Sequence, residues 1–206
     1  MPTFDASEDR ARLVEILLRR SVRFGRFTLA SGAISPFYID VRKTSLDADG
    51  ARAIGRLVVG TYAGEFAAGR LTALGGLTLG ADPIAVAALL EARAQGHRLD
   101  AFLVRKAQKA HGAENLIEGN LEPGAHALVV EDVCTSGDSA LKAALAARAA
   151  GAIVQHAWCV VDRRAGGREA LAAEGIELTA ALDVDTLLAA SPEGRALLAA
   201  RKTPSP

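Results

Sequence analysis

Leu128 to Ser139 read LVVEDVCTSGDS: an apolar run of strand length, two adjacent carboxylates in Glu131 and Asp132, then a turn of hydroxyls and glycine, Thr135-Ser136-Gly137-Asp138-Ser139. Gly137 lets the backbone turn sharply and approach a ligand closely, and the first amides of a following helix point outward unpaired with partial positive charge. Such a loop suits a phosphate. The hydroxyls of Thr135, Ser136 and Ser139 can donate to its oxygens. Glu131 and Asp132, when ionised, can only accept, which suggests sugar hydroxyls or a hydrated Mg²⁺ as their partners. Neither G-x-x-x-x-G-K-[ST] nor G-x-G-x-x-G occurs in the chain, so triphosphate hydrolysis and dinucleotide binding are disfavoured. Residue types alone leave a plainer explanation open, a strand end followed by a helix cap, because Ser, Thr and Asp are favoured caps in any protein.

A second cluster, Arg105-Lys106-x-x-Lys109-x-His111-Gly112, puts four potentially cationic side chains within seven residues. Arg and Lys pair with phosphate oxygens, and a loop that carries them can close over a polyanion and exclude water. By itself it reads more readily as a solvated surface loop. Coupled with the phosphate loop, closure over a polyanion becomes the better reading. Cys134 and Cys159 are too few for a disulfide framework or a four-thiolate metal site. Cys134 lies inside the phosphate loop, where small filler suits it better than a nucleophile, since no partnering motif accompanies it.

The elements that must position these residues follow from periodicity. Residues 7–20 form an amphipathic helix capped by Ser7 or Asp5. Residues 23–43 read as a β-ribbon or small hood, with Phe24, Phe27 and Leu29 before a Ser31-Gly32 turn and Phe37, Tyr38, Ile39 and Val41 after it. One helix is expected over 47–68, then a buried strand over 71–74 closed by Gly75 and Gly76. A glycine-rich loop leads to Pro83 in the first turn of an alanine-rich helix reaching 95. A short strand over 101–104 ends in Arg105 and Lys106, and 107–122 shows no convincing period. The LVVEDV strand is followed by a helix over 138–150, with Leu141, Ala144 and Leu145 on one face and Gly151 as terminator. A strand over 153–161 stops at Asp162-Arg163-Arg164. Residues 169–174 are helical, 176–181 a strand, and 184–200 two short helices before a loose tail.

Strands separated by such helices imply an α/β fold, a doubly wound parallel sheet flanked by helices, with ligands at the carboxyl ends of the strands. The chain reads as a single domain: an N-terminal helix and hood (1–45), an α/β core (46–183), and C-terminal helices with a tail (184–206). Lys plus Arg and Asp plus Glu both number 24, giving zero formal charge. That balance argues against a dedicated nucleic-acid or membrane-surface protein. Half of the residues are hydrophobic but only 4% are aromatic, which favours closely packed helices over a platform for stacked bases. No apolar run approaches the roughly 18 residues of a membrane span and the N-terminus is acidic, so a cytoplasmic location is expected.

The order carboxylate pair, two residues, two hydroxyls, glycine and small polar residue resembles the phosphoribosyl pyrophosphate (PRPP) loop of type I phosphoribosyltransferases. R-K-x-x-K-x-H-G resembles the mobile catalytic loop of orotate phosphoribosyltransferases, and residues 115–119 its returning limb. Phe27-Thr28-Leu29-Ala30-Ser31-Gly32 and Ser35 to Arg42 resemble that family's hood over the pyrimidine, and Asp162-Arg163 the position where an arginine meets the orotate carboxylate. A planar guanidinium suits such a contact. The similarity runs from about residue 24 to residue 163.

Several roles are implied by the resemblance. Lys109 is the main stabiliser or proton donor of pyrophosphate, clamped with Arg105, Lys106 and His111. Glu131 and Asp132 hold the ribose hydroxyls. Residues Thr135, Ser136, Gly137, Asp138 and Ser139 hold the 5′-phosphate, with Val133 and Cys134 completing the PRPP contacts. Thr135, Arg163, Tyr38 and Ile39 meet orotate. Mg²⁺ is bridged through PRPP and water without direct protein ligands, and a homodimer shares its active sites. Some relatives carry lysines where this chain has Ala30 and Gly80, which puts more weight on Arg105, Lys106 and Lys109. Asp138 stands where glycine is common, so its carboxylate is expected to turn away from the phosphate. Rivals remain: a transferase for another base, disfavoured by the hood and Arg163; a PRPP sensor without turnover, disfavoured by the intact Lys109 and His111 loop; and a phosphoryl-transfer enzyme, whose motifs are missing.

Overall fold

The computed structural model describes residues 5–28, 32, 34–106 and 116–202. Helix α1 (Ala6–Arg20) starts where the Asp5 carboxylate accepts from the amides of Ser7 and Glu8, and it buries Leu13, Ile16 and Leu17. Strands β1 (Val22–Thr28) and β2 (Ile34–Ile39) pair antiparallel as the expected hood ribbon. Three helices follow, α2 (Arg42–Ser45), α3 (Ala48–Thr61) and α4 (Ala63–Ala67). Then come β3 (Ala73–Leu77), α5 (Ala81–Ala94), β4 (Asp100–Val104), β5 (Ile117–Gly119), β6 (His126–Cys134), α6 (Asp138–Ala149), β7 (Ile153–Asp162), α7 (Gly167–Ala173) and β8 (Glu177–Asp183). Helices α8 (Val184–Ala189) and α9 (Pro192–Lys202) complete the fold.

The main sheet has the order β5-β4-β3-β6-β7-β8. Its strands run parallel except β5, a short antiparallel edge on β4. One face carries α1, α3, α5 and the hood, joining Ile54, Leu57, Val58, Ile84 and Ala88 to Leu74, Leu128 and Trp158. The other carries α6 and α7, whose Ala140, Ala143, Ala144, Ala147 and Leu171 pack on Phe102, Val129 and Cys159. Alanine on the buried face of α6 lets the helix backbone sit close to the sheet. The expected doubly wound α/β fold is therefore present.

Three local expectations need correction. The helix expected over 47–68 breaks at Tyr62, which leaves helical geometry (φ −112°, ψ 22°). Its ring is buried and its hydroxyl donates to the Ala157 carbonyl at 3.4 Å, so a tertiary anchor overrides helix propensity. Gly75 and Gly76 do not close β3 but lie inside it. A Cβ on Gly75 would stand 1.9 Å from the Phe102 carbonyl oxygen, and one on Gly76 2.1 Å from that of Val130. The centre of the sheet thus leaves room only for glycine there. On α6, Leu145 is exposed while the alanines hold the core side. As the LVVEDV strand implied, Glu131 and Asp132 lie within β6, which runs on to Cys134.

Gly76→Ala is expected to force β3 away from β6 and to cost about 3 kcal/mol. Thermal denaturation should then show a Tm about 10 °C lower. An unchanged Tm would mean that the two strands yield freely.

Candidate active site

Strands β3 and β6 pair only from Ala73 opposite Ala127 to Gly75 opposite Val129. Beyond that point β3 stays with β4, up to Leu77 opposite Val104, and β6 stays with β7, up to Cys134 opposite Asp162. The two central strands part at their carboxyl ends while α5 and α6 depart to opposite faces of the sheet. This is the topological switch point at which open α/β sheets bind ligands.

The phosphate loop stands on one lip of the crevice. Gly137 adopts φ +86° and opens α6, whose first turn receives no side-chain cap. Thr135, Ser136 and Asp138 are exposed. Residues 133–140 and Glu131 line a hollow of about 190 Å³, and an open helix N-terminus within it is a ready anion site. Asp138, expected to turn away, is among the lining residues. The loop rests on the start of α7: a Cβ on Gly137 would meet the Gly167 carbonyl oxygen at 3.0 Å, and one on Gly167 would meet Cys134 Sγ at 2.4 Å. Burial pushes the Cys134 thiol up to about 11, which keeps it protonated and makes it filler rather than nucleophile.

Glu131 is 7% exposed and its Oε2 has no hydrogen-bond partner. Its carboxyl is pushed up to about 9 by burial, and further by the hydrogen bond and the charge of Asp132, against a smaller opposing pull from Lys106. Burial therefore favours the neutral acid form of Glu131, which can donate as well as accept, a property residue type alone could not reveal. Asp132 is less buried and takes the amide of Val133 at 2.9 Å. A Cβ on Gly80, in the turn after β3, would fall 2.6 Å from Asp132 Oδ1. The Asp132 carboxylate occupies the space that a side chain at position 80 would need.

The opposite lip is cationic. The Arg105 amide donates to the Leu116 carbonyl, and its guanidinium donates to Glu118 at 3.2 Å. Arg105, Lys106, Ser139 and Lys142 border a common hollow of about 570 Å³. Lys142, one turn into α6, was missed by sequence reasoning; the signal available was its spacing from Asp138 and Ser139. Lys109 and His111 lie outside the described residues.

At the end of β7 the Arg163 amide donates to the Cys134 carbonyl at 2.9 Å, tying it to the phosphate loop beside Thr135. Its guanidinium lies 4.8 Å from the centre of the Phe37 ring. Strand alternation sends Tyr38 to the exposed side of the ribbon, 5.8 Å from the Phe27 ring, while the Ile39 side chain enters the core. Of these hood residues it is Phe37, not singled out as a ligand from sequence, whose ring meets Arg163; Ile39 can offer only its backbone to a ligand. No cluster of three or more His, Cys, Asp or Glu able to hold a metal occurs among the described residues. No helix among them is long and apolar enough to cross a membrane.

No family model matches the chain. Orotate phosphoribosyltransferase of Mycobacterium tuberculosis (strain H37Rv) is 43% identical over 182 residues, 88% of this chain and 98% of the relative. That of Rhodopirellula baltica is 40% identical over 180 residues, 86% of this chain and 93% of the relative. Among solved structures, the M. tuberculosis H37Rv enzyme in complex with PRPP superimposes with a TM-score of 0.72 at 40% identity, covering 87% of this chain and 98% of that one.

Proposed function

This chain belongs to the orotate phosphoribosyltransferase family, and from that premise we infer how its crevice works. It transfers ribose 5-phosphate from PRPP to N1 of orotate, giving orotidine 5′-monophosphate and pyrophosphate in pyrimidine biosynthesis. The observation that carries the assignment of roles is the switch-point crevice itself: a phosphate loop and carboxylate pair on one lip, Arg105 and Lys106 on the other.

The 5′-phosphate rests on the amides opening α6 and on Thr135, Ser136 and Ser139. The ribose hydroxyls meet Asp132 as acceptor and Glu131 as a neutral donor and acceptor. Departure of pyrophosphate leaves an oxocarbenium-like ribose, so rate depends on alignment and on cations at the leaving group. Arg105 and Lys106 supply that charge, Lys142 adds to it, and Lys109 with His111 completes it. Lys109 also hands a proton to the departing oxygen. Arg163 holds the orotate carboxylate under the hood, with Thr135 at the edge of the base.

The donor set fits Mg²⁺ only as a partner shared with the substrate. The described residues form no cage for a metal, and burial disfavours the ionised form of Glu131. Asp132 would meet Mg²⁺ through bridging water rather than as a direct ligand. When bound, Mg²⁺ neutralises charge on the pyrophosphate.

A homodimer with shared sites follows from the family's pattern, in which the basic loop reaches a neighbouring subunit. An apolar strip of Leu46, Leu79, Pro83, Val86 and Leu90 supports it: the four aliphatic side chains are exposed, Pro83, Val86 and Leu90 lie on one side of α5, and Leu46, Leu79 and Pro83 share one hollow beside the crevice. Such patches mark interfaces. Lys109→Ala and Asp132→Ala are each expected to be nearly inactive, while mixing the two should restore part of the wild-type rate, because a mixed dimer rebuilds one intact site. A mixture that stays inactive, or a monomer mass in ultracentrifugation, would remove the shared site.

A further inference from the structure

Two guanidiniums, not one, stand over the Phe37 ring. Arg163 comes from the end of β7 and lies 4.8 Å from the ring centre, and Arg201 comes from the last turn of α9 and lies 5.7 Å from it. Phe37 itself is 1% exposed, so both cations sit against a buried aromatic edge of the hood. Like charges this close repel, and the Arg163 guanidinium is held below its ordinary value first by burial and then by Arg201.

The neighbouring acids do not relieve this. Asp183 pairs with Arg164 at 2.9 Å, and Asp185 lies 3.8 Å from Arg164 and 3.5 Å from Arg201. Three guanidiniums thus meet two carboxylates. Among the described residues no carboxylate pairs with Arg163, and its side chain makes no hydrogen bond. The Asp185 contact draws Arg201 into this cluster and, among the described residues, leaves one positive charge uncompensated beside an aromatic face. A planar monoanion matches that arrangement, with its ring under the hood and its carboxylate between two forks.

We propose that Arg201 is a second binding residue for the carboxylate of the base, acting beside Arg163 and setting preference for a carboxylated pyrimidine over one without the group. This rests on the assignment of orotate to the Arg163 side of the crevice. It gives α9, outside the sheet, a direct part in substrate choice.

Arg201→Gln keeps size and polarity while removing the charge, and Arg201→Lys keeps the charge. Steady-state kinetics on the purified full chain, with orotate and PRPP varied in turn, should show the KM for orotate raised about tenfold in Arg201→Gln. The KM for PRPP should stay unchanged, and Arg201→Lys should recover part of the loss. Inhibition by uracil, which lacks the carboxylate, should be the same in wild type and Arg201→Gln. A wild-type KM for orotate in Arg201→Gln, or equal rises for orotate and PRPP, would overturn the proposal and leave Arg201 a structural residue of α9. If Arg163→Gln leaves the KM for orotate untouched, the placement of the base fails instead, and the role of Arg201 falls with it.

Discussion

Replacing Asp132 with alanine is expected to lower kcat/KM for PRPP by about 100-fold or more, roughly 2.7 kcal/mol of barrier. Asp132 reaches into the corner left by Gly80 and lends its charge to the switch point. Removing it loses charge-assisted contacts to the ribose hydroxyls. Circular dichroism should show the fold intact, because Asp132 carries no part of the core. A loss below about threefold would show that the carboxylate does not touch the reacting sugar.

Its neighbour behaves differently. With a folded value of about 9 against an ordinary 4.5, Glu131 holds a proton in the folded protein that the unfolded chain releases. Its stabilising contribution is complete below about pH 4.5 and is lost as pH rises towards 9, by at most about 1.4 kcal/mol per pH unit. Glu131→Gln mimics the protonated state, so denaturant unfolding of the variant should lack that fall and gain on wild type between pH 6 and about 9. Parallel slopes in the two proteins would show that Glu131 is ionised at neutral pH.

Gly137→Val should be the other severe lesion, with PRPP affinity down by about 100-fold. The residue needs φ +86°, and a Cβ there faces the Gly167 carbonyl at 3.0 Å. Left-handed geometry costs a side chain on the order of 1–3 kcal/mol, and a β-branched one cannot retain the loop that presents the α6 amides. Gly96 has the same φ of +86° with open space around it. Gly96→Val therefore reports backbone strain alone: both variants should lose stability, but only Gly137→Val should lose PRPP binding. Equal PRPP affinities in the two would detach the loop from the phosphate.

The alternation of apolar runs and helices makes the sheet legible in the sequence, because burial on both faces leaves strands as continuous apolar stretches. Glycine misled at Gly75 and Gly76, where it usually marks a turn but here yields to carbonyls of β4 and β6. Strand β5 has three residues, too few for a period. At the site, residue types and order pointed to the phosphate loop and the carboxylates, and the family resemblance pointed to Arg163. Protonation of Glu131, the ring beneath Arg163 and the presence of Arg201 depend on burial and on contacts far apart in the chain, so no local pattern carried them.

The most direct measurement is the loss of orotate absorbance in a mixture of the purified protein with PRPP, Mg²⁺ and orotate, with each component omitted in turn and Lys109→Ala run beside the wild type. Rapid loss that needs all three, yields orotidine 5′-monophosphate and pyrophosphate in equal amounts, and falls at least about tenfold in the variant, on the order of 1.4 kcal/mol, is the expected result. PRPP bound with no loss of orotate would contradict it and point to another base or to a PRPP sensor.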